Sequence, residues 1–146
     1  MRQLDFCFRG TAFGGGANSW AVFLLTSAVA PASTTNLKTD LTEIAIGNGY
    51  SAGGIALARN STDFDTVTEL DAPDHRGLVQ IRDLSWTASG GAIPASGGGA
   101  RYAALTDGHA TVASREVWAF WDLGADRSIT DGQTLTLQDC ELRLTE

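Results

Sequence analysis

Apolar and polar residues alternate along this chain in short bursts, without sustained recurrence at three and four residues, so the pattern predicts strands and not helices. Leu4, Phe6 and Phe8 alternate with Gln3, Asp5 and Cys7, a strand-like start with one apolar face. Gly10 and Gly14 to Gly16 then interrupt it, so residues 1–19 read as an N-terminal strand or arm on a glycine hinge. Such an arm either packs on a neighbouring subunit or forms an edge strand of its own domain. Residues 20–25 are apolar on both faces, which predicts a central strand covered on both sides. Residues 30–36 form a polar loop, and 41–46 are expected to make the next strand. Asn48-Gly49 closes that strand with a turn, because both residues tolerate positive φ. A further strand is expected at 55–58.

Residues 59–75 are polar and acidic, with a weak strand at 64–67. Between 78 and 86 the apolar phase runs through Val79 and Ile81, then shifts to Leu84 and Trp86, as a β-bulge requires. Residues 90–99 read as a second flexible loop. Residues 101–106 and 111–123 are expected to pair around the Asp107-Gly108 turn. Thr134 to Leu137 alternates cleanly, and the parity slips again near Gln138-Asp139 before Cys140, Leu142 and Leu144. Roughly seven to ten short strands at this spacing predict an all-β fold, an antiparallel β-sandwich, jelly-roll-like, with a single body over residues 20–146.

Residues 116–121 stand apart. Strict alternation puts Val117 and Trp121 on one face and Trp118 and Phe120 on the other, so both faces call for burial. Two readings remain open: an inner core strand, or a contact between subunits, where aromatic residues are enriched. Either way Trp118 and Phe120 are expected to be covered by protein and not displayed to a ligand.

Composition narrows the partners. Seventeen acidic against ten basic residues give a net charge of −7, and phosphate contacts need clustered Lys or Arg, so no nucleic acid is expected. The longest apolar run is far shorter than a bilayer span, and the N-terminus lacks a basic-then-apolar leader. No membrane partner is expected, and the protein is expected to be made in, and released from, a cytoplasm. Cys7 and Cys140 are either two reduced thiols or a disulfide closing the terminal strands; spacing does not decide.

Chemistry is sparse. Gly47 to Gly53 resembles a dinucleotide fingerprint but has the wrong spacing and no helix pattern after it, so it reads as a turn. Asp74, His75 and His109 lack a placed nucleophile, and two histidines with two cysteines make no zinc site. Asp63 and Asp65 lack the Gly and terminal Glu of a calcium loop. Glu116, Asp122 and Asp126 are the only hint of paired carboxylates for glycoside cleavage. Accordingly no catalytic residue, cofactor or metal is expected.

Residues 23–28 and 41–54 resemble small virion proteins of tailed bacteriophages, which pair a strand with a small-residue loop and a glycine-rich Gly-Tyr turn. Residues 84–91, 101–107, 120–124 and 131–137 resemble the second half of such proteins. The resemblance implies a capsid cement (decoration) protein on the virion surface, a homotrimer bound to the major capsid protein. It also implies an alternative, a fibre-associated or receptor-binding protein that recognises a host surface glycan. The candidate subunit or capsid interface comprises Phe6, Phe8, Trp20, Trp118, Phe120 and Trp121.

Overall fold

The computed structural model describes residue 8 and residues 19–70 and 76–145. Nine strands lie among them: β1 (Ser19–Leu25), β2 (Ile55–Ala58), β3 (Thr66–Leu70), β4 (Arg76–Ile81), β5 (Leu84–Thr87), β6 (Ala100–Asp107), β7 (Val117–Arg127), β8 (Thr134–Leu137) and β9 (Cys140–Thr145). Every pairing is antiparallel. One sheet runs β2-β1-β6-β7; the other side of the molecule is built from β3-β4-β9 and β5-β8. A single apolar cluster joins Trp20, Val22, Leu24, Leu57, Ala103 and Leu105 of the first to Val79, Ile81, Leu84, Trp86, Leu137 and Cys140 of the second. Inward residues of two layers, the second made of a three-stranded and a two-stranded sheet, meet in one core and make a β-sandwich-like fold.

The all-apolar stretch forms β1, which lies inside its sheet between β2 and β6. Its even-numbered side chains enter the sandwich core, while Phe23 and Leu25 face the opposite way and pack with Leu41 and Ala104. Burying each such side chain is worth ~1.5–3 kcal/mol, which is why both faces need a cover. The outer cover is the 26–54 connection, held by Thr26 N–H to the Thr42 carbonyl (2.9 Å) and Ile44 N–H to the Leu24 carbonyl (3.1 Å). Here the expected strand at 41–46 is corrected: these residues touch β1 through one isolated bridge, Leu25 to Glu43. Leu41 and Ile44 are buried at a spacing of three, which suits plugging two separate clusters and not a pleated face.

The two parity slips turn out to be one feature. β4 pairs Ile81 with Cys140, and three residues further along each strand β5 pairs Leu84 with Leu137. Arg82-Asp83 and Gln138-Asp139 therefore interrupt opposite strands by equal lengths, and the register survives the break. Asp139 takes positive φ (52°) to make the step, and its carboxylate accepts from Gln80 Nε2 (3.2 Å) while Gln138 Nε2 donates to Asp83 (3.3 Å).

Other boundaries moved. Residues 111–116 are not strand; a single 3-10 turn at Val112–Ser114 precedes β7. The weak strand expected at 64–67 starts later, at Thr66, because Phe64 is buried in the core. The loop at 90–99 is anchored: buried Ile93 exchanges both backbone hydrogen bonds with Ile129 (3.0 and 2.9 Å). The Asn48-Gly49 turn forms as expected, with φ of 54° and 101° between Gly47 and Tyr50.

Candidate functional site

The strongest surface feature lies at the start of β7, an edge strand of its sheet. Pairing with β6 shifts between Leu105 and Thr106, which face Ala119 and Val117, so Trp118 is the extra residue. An extra residue moves everything before it to the other face. Val117 accordingly packs with the Phe23 and Leu25 cluster, while Ala119 and Trp121 pack on the sandwich core. This corrects the strict alternation that joined Val117 to Trp121.

Of the six candidate interface residues, Phe6 lies outside the described residues. Phe8 is 3% exposed, stacked on Trp20 (4.8 Å between centroids, 20°) and tilted against Phe64 (5.2 Å). Trp20 is 6% exposed and belongs to the same core. The expected strand over residues 3–8 is corrected at Phe8, whose backbone is helical; the rest of it falls outside the described residues. Trp121 is half-buried, and its Nε1 donates to the Glu141 carbonyl of β9 (3.2 Å), tying the two sheets together. By contrast Trp118 is 53% exposed and Phe120 41%. Within the single chain these two aromatic side chains are displayed.

Beside them the connection after β1 comes alongside. Val117 N–H donates to the Asn36 carbonyl and Lys38 N–H to the Arg115 carbonyl, both at 2.9 Å, bridging Leu37 to Glu116 in antiparallel fashion. Two depressions adjoin this bridge and share Val117 and Trp118. One, of about 410 Å³, is lined by Asn36, Leu37 and Glu116; the other, of about 280 Å³, by Ala32, Ser33, Thr35, Ala119 and Phe120. Leu37 is itself exposed, at 39%. The sequence pattern gave it no role, since the polar loop was drawn over residues 30–36; an isolated leucine amid Thr, Asn and Lys was the available signal.

A polar knot fixes the connection that forms this rim. Glu43 accepts from Tyr50 Oη (2.8 Å) and Gly53 N–H (2.7 Å) through one oxygen and pairs with Lys38 Nζ (2.5 Å) through the other. Tyr50 Oη in turn accepts from Leu24 N–H (2.9 Å), and Lys38 Nζ sits 4.8 Å from the Phe23 ring centroid. Burial, followed by the Glu43 charge, drives the Tyr50 hydroxyl far above the usual phenol range.

The remaining candidate chemistry is dispersed. Asp63 is an ion-pair partner of Arg82 and accepts from Ala58 N–H (2.7 Å), and Asn60 Oδ1 closes a turn onto Thr62 and Asp63. Asp122 accepts from Gly124 N–H (2.7 Å) and Arg101 (2.9 Å), which lower its pKa in that order; Asp126 meets Ser27 Oγ (3.4 Å). His109 engages the Thr111 main chain, while Asp74 and His75 lie outside the described residues. Among the described residues no group of three or more His, Cys, Asp or Glu is placed to hold a metal, and no helix is long and apolar enough to cross a membrane. Cys140 carries a buried free thiol, pushed up to about 11 by burial and then by the charges of Asp83 and Asp139. Cys7 lies outside the described residues.

No protein-family model, curated protein or solved structure matches this chain.

Proposed function

We propose that this chain is a bacteriophage capsid cement protein, a non-enzymatic homotrimer that binds the outer face of the capsid through contacts with the major capsid protein. The observation that carries this reading is the displayed pair Trp118 and Phe120, beside Leu37, on a sheet edge. Exposed large apolar residues grouped together are a mark of a protein-binding surface. Desolvated aromatic residues supply a large share of interface energy. Such a protein stabilises an assembled shell by binding it and not its separate subunits, and many weak attachments add through multivalency. The acidic surface suits a solvent-facing layer at high local concentration.

The test combines electron microscopy of the particle with sizing of the purified protein. Density for this chain on the shell and a trimer by light scattering are the expected results. A stable monomer at micromolar concentration, absent from the shell, overturns the reading.

One observation favours a second reading, a fibre-associated protein that recognises a host glycan. Trp118 is displayed beside Asn36 and Glu116, and an indole face flanked by hydrogen-bonding side chains suits a sugar ring. Density on the tail, together with glycan-array binding lost in Trp118→Ala, would select it.

A further inference from the structure

The backbone phase of β7 shows which of its peptide groups look outward. Asp107 N–H donates to the Glu116 carbonyl (3.1 Å), so Asp107 turns its main chain toward β7. Two-residue periodicity along β6 then turns Leu105 and Ala103 the same way, toward their partners Ala119 and Trp121. Phe120 and Asp122, in the alternate phase, direct N–H and C=O away from β6. The same edge already takes an antiparallel partner one step earlier, where Asn36–Lys38 pairs with Arg115–Val117. That partner leaves the edge through a turn closed by Thr35 N–H to the Ala32 carbonyl (2.9 Å). Among the described residues no strand continues it past Val117.

We infer that the edge of β7 from Trp118 to Asp122 accepts an extended segment of another protein as an added strand, a segment apolar at alternate positions and carrying Lys or Arg. Added strands gain affinity from main-chain hydrogen bonds and specificity from pockets for alternate side chains. Here the outward groups of Phe120 and Asp122 supply the first, and the depressions beside Trp118 and Phe120 the second. Charge favours such a guest, because the chain carries a net charge of −7 and Glu116 and Asp126 are exposed around this edge, with Asp122 already held by Arg101.

A second copy of β7 fits poorly. A two-fold centred on Phe120 drives residues 123–125 of one copy onto 115–117 of the other, where Asn36–Lys38 already sits. Centring it on Asp122 sets two carboxylates face to face, a destabilising cross-strand pair. This inference rests on the protein-binding reading above and specifies how the contact is made.

The test is selection of a random decapeptide display library on the immobilised full-length protein, followed by synthesis of the most enriched peptide. Enrichment of Lys or Arg with alternating apolar residues is expected. On binding, hydrogen exchange at the Phe120 and Asp122 amides should slow at least tenfold, with Ala119 and Trp121 unchanged. Phe120→Pro, which removes an outward N–H that an edge strand can lose, should bind at least tenfold more weakly than Phe120→Ala. No enrichment, acidic consensus peptides, or equal binding by both variants overturns the inference. Protection of the same amides in concentrated protein alone would overturn it in favour of a second copy. If Phe120→Ala detaches the protein from particles but the peptide signature is missing, strand addition falls and the docking surface stands.

Discussion

Trp20 and Trp118 meet edge to face, 5.1 Å between ring centroids at 84°, one ring inside the core and the other half in solvent. The contact holds the displayed indole in place against a stack that continues through Phe8 and Phe64. A surface residue so held is pre-organised for a partner, since little rotamer freedom is left to lose on binding.

The two tryptophans should therefore differ in what they contribute to stability. Trp20→Ala empties a core site and is expected to cost ~3–5 kcal/mol, whereas Trp118→Ala forfeits mainly the ring contact, ~0.5–1.5 kcal/mol. Urea unfolding of both single mutants and the double mutant measures this. Equal losses would mean that Trp118 is part of the fold's core in solution.

Glu43→Ala should be among the most damaging polar changes. It strands the largely buried Lys38 ammonium and leaves the Gly53 N–H and Tyr50 hydroxyl without their acceptor. Removing one partner of such a knot costs about 3 kcal/mol, against ~1–3 kcal/mol for Tyr50→Phe, which orphans only the Leu24 N–H. Denaturation midpoints rank the two, and a Glu43→Ala protein as stable as the parent would show the knot to be dispensable.

Glycine positions separate by surroundings. Gly54 has φ of 70°, and a Cβ there would strike the Val22 carbonyl and the Phe23 main chain; Gly132 has φ of 81° with open space around it. Gly132→Ala is expected to cost ~1–2 kcal/mol from backbone strain alone. Gly54→Ala should cost more, because β1 itself must move. Comparing melting temperatures of the two variants tests the ranking.

Alkaline pH should destabilise the fold through Cys140. Its folded pKa of about 11 lies above the ordinary value of 9.0, so the stabilising neutral thiol is fully present below pH 9. Between about pH 9 and 11 the unfolded chain releases the proton first, and stability falls. Melting temperatures from pH 7.5 to 10.5 should therefore drop less in Cys140→Ala than in the parent. Parallel curves would show that another group governs the alkaline limb.

The fold class was legible because its signals are local. Period-two alternation, Asn48-Gly49 and the two-faced run at 20–25 each state their own requirement for pairing, turning or burial. Both parity slips were legible too, but that they lie opposite one another, and cancel, depends on β4–β5 finding β8–β9. Pairing between distant segments is not encoded in either one's periodicity. The same reason hid the displayed surface. One extra residue opposite Leu105 and Thr106 decides that Trp118 leans on Trp20 while Val117 turns to the other cluster. The pattern announced that residues 116–121 needed cover; only the assembled sheet, with β7 at its edge, decided which rings the chain covers itself and which it leaves exposed.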